Sequence, residues 1–330
     1  GERLLPSMPH SGALPLRQAL ARHIYQFRGI AADPEQIVVG AGTEYLYNLL
    51  VQLLGRDRVY GVEDPGYSKA GRVYALNGAA CVCLPVDGQG VDPAQAEGSG
   101  ADILHLSPNH QFPTGAVMPI ARRQSLLRWA GEGSGRYLIE DDYDSEFRYK
   151  GKPIPALQGM DQTGSVVYMG TFSKAIAPAI RVGYMVLPES LLSVYRKKGR
   201  FYSSTVSRVD QRILANFISG GYFERHLNRM REIYKGKHDV LLGALKPLEK
   251  RFEIKGEYAG LHVLLTDRKG EAEQALLAKA EEKKVRVYGL SGFCMEERRA
   301  KESHTIVLGY AGLTEEEIRK GVGLLREALE

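Results

Sequence analysis

Long apolar runs are missing from this chain: no stretch approaches the roughly 20 uninterrupted apolar residues that a membrane helix needs. It opens Gly1-Glu2-Arg3, with no initiator Met, no basic-then-apolar run and no cleavage site. A secretory signal is therefore not read, and a trimmed chain is expected. Cysteine is scarce as well. Cys81 and Cys83 alternate along an apolar run, Cys294 stands alone, and no C-x-x-C spacing or paired histidine accompanies them. That excludes a disulfide framework and a zinc site, and leaves three buried thiols in a reducing cytoplasm. Net charge is only +5, too mild to diagnose nucleic-acid binding. The basic residues are nevertheless bunched, with Arg196, Lys197, Lys198, Arg200, Arg208 and Arg212 followed by Arg225, Arg229, Arg231, Lys235 and Lys237. They read as a solvated helix face, or as a surface for an attached domain or DNA phosphates. No G-x-G-x-x-G opens a helix after the first strand, which argues against a nicotinamide dehydrogenase. Repeats, coiled coils and low-complexity linkers are absent.

What is present is ordinary for a globular protein: 330 residues, 44% hydrophobic and 25% charged, enough for two packed lobes or one large α/β body. Leu20, Ile24 and Phe27 fall on one side of a helix over Arg17–Phe27. Short apolar strands are expected at 36–40, 59–62, 80–84, 103–106, 137–139, 166–169 and 182–186, separated by helices such as 45–54. That alternation predicts a mostly parallel sheet covered on both faces. From about Glu189 the pattern changes to long helices, then strands at 252–254, 261–265, 285–288 and 305–308, and a closing helix from Glu315 capped by Thr314. This predicts a smaller α+β lobe, with the N-terminal helix packed against it.

Three segments carry chemistry. Thr171-Phe172-Ser173-Lys174 follows a strand directly, placing an amine at the carboxyl end of the sheet, where open α/β folds bind ligands. Two hydroxyls beside that amine, and Arg181 seven residues on, form a cradle for a phosphate dianion. A lysine so placed is suited to condense with an aldehyde. Glu140-Asp141-Asp142-Tyr143-Asp144 also leaves a strand end. A carboxylate there can keep a pyridine nitrogen protonated, and a phenol can hydrogen-bond a ring 3-oxygen; a solvated acidic turn or a metal site is the alternative. Gly40-Ala41-Gly42-Thr43-Glu44 joins a strand to a helix, where backbone N–H groups and the helix dipole favour an anion.

In order and spacing the chain resembles fold-type-I pyridoxal-phosphate enzymes. In particular it resembles the aminotransferase-like effector domain of MocR/GabR-type regulators of the GntR superfamily. The matching segments are Gly12–Arg17, Val39–Thr43, Val62–Tyr67, Ser107–Gly115, Glu140–Tyr149 and Gly170–Arg181. The resemblance implies an α/β fold: a large domain over 36–190 with a mostly parallel seven-stranded sheet between helices. Residues 1–35 and 191–330 then form a small α+β domain with linking helices, and a winged helix-turn-helix precedes this chain. Pyridoxal 5′-phosphate would be held as an internal aldimine on Lys174. Asp141 would pair with the pyridine nitrogen, with Asp142 as the fallback, and Tyr143 would meet the 3-oxygen. Tyr67 would lie on the ring, and Gly42, Thr43, Glu44, Thr171, Ser173 and Arg181 would cradle the phosphate. Lys69 and His110 are candidate effector contacts. The implied partners are a small amino compound or the cofactor itself as effector, DNA through the preceding domain, and a second copy in a homodimer; the implied location is cytoplasmic. A free-standing aminotransferase acting on amino acids and 2-oxo acids is the other reading.

Two positions depart from the pattern. Phe112 replaces the asparagine of Asn-Pro-Thr-Gly, leaving the 3-oxygen to Tyr143, with His110 as a further candidate. Val307 stands where catalytic relatives place the arginine that clamps a substrate carboxylate. A charge-assisted hydrogen bond contributes about 1.5–3 kcal/mol, so its loss disfavours efficient transamination. Lys69, Arg72, Arg286, Arg298 and Arg299 are candidate substitutes.

Overall fold

The computed structural model describes residues 8–149, 155–257 and 259–330, without the side chain of Arg200; the opening Gly1-Glu2-Arg3 lies outside them. Two sheets organise these residues. The large one contains β1 (Ile37–Gly40), β2 (Val59–Asp64), β3 (Ala80–Asp87), β4 (Gly90–Val91), β5 (Ile103–Leu106), β6 (Tyr137–Asp142), β7 (Val166–Thr171) and β8 (Gly183–Val186), in the order β1-β8-β7-β6-β5-β2-β3-β4. The run from β7 to β3 is parallel, and β8 is antiparallel to both its neighbours, so β1 points the same way as β7. The seven expected strands are all there. The eighth, β4, is a two-residue strand that folds back antiparallel on β3.

Parallel strands survive only with both faces covered, and their near-continuous burial reflects that. On one face Val38, Tyr60, Val62, Ile139, Val167 and Met185 pack with Leu46, Leu50 and Leu53 of the helix Thr43–Leu54 and with Leu191 and Tyr195 of the helix Glu189–Lys198. On the other, Leu104, Leu138 and Val166 pack with Leu126 and Trp129 of the helix Ile120–Glu132. Sequence periodicity does not single that helix out, because Arg123 sits in its buried stripe. Its guanidinium is wholly buried and donates to the carbonyls of Met118, Pro108 and Pro155 and to Asn109 Oδ1.

The N-terminal helix runs over Leu14–Arg28 and packs, as expected, with helices that follow Glu189, while also lying on the large sheet. Leu16, Leu20 and Ile24 join Leu214 and Phe223 of the helices Arg208–Ser219 and Tyr222–Leu245 and Val39, Tyr168 and Tyr184 of the large sheet. The thiols differ from expectation: Cys81, Cys83 and Cys294 are free and only half-buried. Cys81 and Cys83 lie on β3, which is near the sheet edge and incompletely covered.

The smaller sheet is antiparallel, with β9 (Phe252–Lys255), β10 (His262–Asp267), β11 (Tyr288–Gly289) and β12 (Thr305–Gly309) in the order β11-β12-β10-β9. Phe252, Val263, Leu265, Ile306 and Leu308 form its core with Leu241 and with Ile318, Val322 and Leu325 of the helix Glu315–Leu329. Thr314 caps that helix in a reciprocal box with Glu317, as expected. Among the described residues no helix is long and apolar enough to cross a membrane.

Candidate functional site

The carboxyl ends of β1, β2, β5, β6 and β7 lie along one edge of the large sheet, and the turns leaving them enclose a cavity of about 200 Å³. Thr43, Tyr67, Asp141, Tyr143, Thr171, Ser173, Lys174 and Arg181, singled out in the sequence, all line it. After β7 the Thr171 hydroxyl accepts from the Ser173 N–H (3.2 Å) and donates to Ser173 Oγ (3.1 Å), a side-chain-closed turn that delivers Lys174 to the cavity. The Lys174 amine has no hydrogen bond or ion pair among the described residues.

Opposite the lysine, strand alternation separates the two central aspartates. Asp141 faces the cavity, where its Oδ2 accepts from the Tyr47 hydroxyl (2.6 Å) and contacts His105 Nε2 (3.1 Å). Tyr74 Oη completes the chain at 2.7 Å from His105 Nδ1. Burial, reinforced by Asp141, holds the Tyr47 phenol well above its ordinary range, so it remains a donor. Asp142 points to the other side of β6 and pairs with Arg28 (2.7 Å), the Tyr168 hydroxyl (2.7 Å) and Ser145 (2.9 Å). The fallback assignment of Asp142 to the ring nitrogen is thereby removed. Tyr47, His105 and Tyr74 are not apparent from sequence; they come from a helix, a strand and another helix, with no shared spacing to reveal them.

The Gly40–Glu44 turn meets Arg181 at one end of the cavity. Gly42 has φ 87°, and a Cβ there would lie 2.5 Å from Arg181 Nη2, so backbone and guanidinium are in direct contact. Arg181 itself has φ 51°, a left-handed conformation uncommon for residues with a side chain and often found at functional sites. Glu44 receives Arg181 and also Lys69 Nζ (2.9 Å). Burial works to raise the Glu44 carboxyl, but the hydrogen bonds from Lys69 and Arg181 outweigh it and lower it to about 2. Lys69 is thus tied to Glu44 and lies 5.9 Å from the Tyr67 ring centroid, outside the cavity lining.

His110 does not line this cavity. It is buried behind Tyr143, with Nδ1 2.9 Å from Asp144 and 3.0 Å from the Tyr143 hydroxyl. Phe112 does line it, packed edge-on to Tyr67 and Tyr143 at ring separations of 6.3 and 6.0 Å. Val307 is buried in β12 opposite Leu264 and Tyr288. None of the five candidate substitutes for an arginine there lines the cavity. Arg286 lies over the Tyr288 ring, Arg298 pairs with Glu302, and Arg299 with Asp64 and Glu296.

Residues 4–325 match the family aminotransferase class I and II. The chain belongs to that family. It is 39% identical over 318 residues to YdeL of Bacillus subtilis, an HTH-type transcriptional regulator, covering 96% of this chain and 68% of the relative. Against the probable rhizopine catabolism regulatory protein MocR of Rhizobium meliloti it is 32% identical, covering 95% and 63%. Among solved structures it resembles LysN, the α-aminoadipate aminotransferase of Thermus thermophilus complexed with N-(5′-phosphopyridoxyl)-L-leucine, with a TM-score of 0.83 and 25% identity over 99% of this chain and 83% of that one. The fold is that of the fold-type-I pyridoxal-phosphate transferases.

Pyridoxal 5′-phosphate fits the residues present. The cavity offers one unpaired amine, a buried carboxylate across from it, and a phosphate-type donor set of Thr43, Thr171, Ser173 and Arg181 over a glycine with no room for a side chain. Family and donor set together identify it as the cofactor.

Proposed function

We propose that this chain is the cofactor-holding, aminotransferase-like sensor domain of a bacterial transcription regulator, which reports an amino compound or the cofactor itself to a DNA-binding domain. Pyridoxal phosphate supplies an aldehyde for amines and a ring that accepts electrons. Lys174 would hold the aldehyde carbon. Asp141, itself fixed by Tyr47 and His105, would keep the proton on the pyridine nitrogen, and Tyr143 would donate to the 3-oxygen. Gly42, Thr43, Glu44, Thr171, Ser173 and Arg181 would position the phosphate, with Tyr67 against the ring. Lys69 remains the candidate effector contact at the cavity rim.

One observation carries the sensor reading over a free-standing aminotransferase. The donor set expected for the cofactor lines one cavity, yet Val307 stands at the arginine position, and among the described residues the only arginine lining the cavity, Arg181, is held by Glu44. A bidentate clamp supplies geometry as well as charge, and losing it removes transition-state binding. The regulator relatives support the same assignment, since this chain spans about two thirds of their length. A cytoplasmic location, a homodimer and DNA contact through a preceding winged helix-turn-helix belong to this proposal.

Incubating the cofactor-loaded protein with amino acids and 2-oxoglutarate tests it. Slow half-reactions that stop near one equivalent are expected. Sustained turnover, with product far exceeding protein, would establish the enzyme instead.

A further inference from the structure

A second cavity, of about 320 Å³, lies on the side of β6 away from Asp141. Arg28 of the N-terminal helix, His110, Glu146, Arg148, Arg231 of the helix Tyr222–Leu245 and Ala259 of the smaller lobe help to wall it. None of the residues assigned to the cofactor lines this space. Among the polar atoms of its lining residues, Glu146 Oε2 and His110 Nε2 are buried without any hydrogen-bond partner, the latter on a side chain only 2% exposed. Buried polar atoms in native proteins are nearly always satisfied, by protein, water or a bound ligand.

The charges on the wall show what such a ligand would carry. Arg28 is ion-paired with Asp142 (2.7 Å), and Asp144 with His110 (2.9 Å). Glu146 has no ion pair among the described residues, and neither has Arg231, whose Nε donates to the Glu146 backbone carbonyl (2.6 Å) and whose Nη1 donates to Asn228 (2.7 Å). A carboxylate and a guanidinium thus meet at one enclosed space without neutralising each other. Burial first, then Asp142, pushes the Glu146 carboxyl up to about 7, against the opposing pull of Arg28, which is itself ion-paired with Asp142.

We propose that this cavity is a second ligand site, for a small zwitterionic amino acid whose ammonium meets Glu146 and whose carboxylate meets Arg231. Occupancy is connected to the cofactor cavity through one shared wall: His110 lines the second cavity, and its Nδ1 is 3.0 Å from the hydroxyl of Tyr143, which lines the first. Neither the site nor its ligand class depends on the cofactor being bound.

Calorimetric titration of the Lys174→Ala chain without added cofactor tests this, because no amine can then condense with an aldehyde. The probes are β-alanine and 5-aminopentanoate, with pentylamine and pentanoate as one-ended controls. At least one zwitterion should bind at a single site, at least tenfold more tightly than either control. Glu146→Gln and Arg231→Met should each weaken it at least tenfold. Ala259→Leu, which fills the space without removing a charge, should do the same and carries the test where a charge variant fails to fold. Arg181→Met, in the cofactor cavity, should leave the affinity within twofold. Absence of binding by both zwitterions would mean a cavity that holds only water. Binding that survives Ala259→Leu, or disappears with Arg181→Met, would place the probe elsewhere; any of these results overturns the proposal.

Discussion

Asp141 and Asp142 are neighbours in sequence with opposite surroundings, and only the pleat of β6 tells them apart. The acidic cluster is legible as a strand-end group, and of its two central aspartates Asp141 is the one that lines the cavity. The hydrogen-bonded chain behind it is not legible, because Tyr47, His105 and Tyr74 converge from separate elements through tertiary packing. Glu63 shows the same limit. It lies buried near the end of β2, accepts from the Ser107 N–H (3.1 Å) and Gln111 Nε2 (3.2 Å), and leaves Oε1 without a partner. Burial pushes its carboxyl up from 4.5 to about 8. The folded protein therefore keeps a proton that the unfolded chain loses first. This contribution to stability is full below pH 4.5 and is lost as pH rises towards 8. One such proton is worth about 1.4 kcal/mol per pH unit. Urea unfolding of the wild type between pH 5 and 8 should fall more steeply with pH than that of Glu63→Gln, by up to this slope. Parallel profiles would show that Glu63 titrates normally.

At the scale of elements, what can be read is what repeats. Strand and helix periods mark the seven main strands, the helix Thr43–Leu54 and the capped helix at Glu315, because apolar faces there follow a regular spacing. The helix Ile120–Glu132 escapes because Arg123 interrupts its buried stripe, and the packing of Leu14–Arg28 on the large sheet is a long-range choice that no local pattern encodes. The Gly40–Glu44 turn is ambiguous in sequence, since many strand–helix turns are glycine-rich for steric reasons alone. Its contact with Arg181 gives Gly42 a distinct role. Alanine there meets both a left-handed backbone and a guanidinium in the way, at a cost of about 1 kcal/mol or more. Gly42→Ala should remain folded and bind pyridoxal phosphate at least tenfold more weakly in a fluorescence titration. Unchanged affinity would remove this turn from the phosphate cradle.

At the scale of the whole molecule, the parallel sheet places five strand ends along one edge, and residues from Thr43 to Arg181 reach a single cavity because of it. Motifs far apart in the chain are legible as one site for this reason: each follows a strand, and parallel strands bring their carboxyl ends together. Placement of His110 cannot be read in the same way. Close in sequence to the cavity-lining Phe112, it turns away and joins the second cavity instead. The position of the basic side chains is likewise a whole-molecule property: Val307 is visible in the sequence, whereas the fact that none of Lys69, Arg72, Arg286, Arg298 and Arg299 lines the cavity depends on how the chain folds around it.

Hydride reduction of the cofactor-loaded protein, followed by mass spectrometry of its peptides, tests the central claim most directly. The account expects a reduced phosphopyridoxyl group on the peptide carrying Lys174 and none in the Lys174→Ala chain. An unmodified Lys174 peptide, or a label that persists after the substitution, would contradict it.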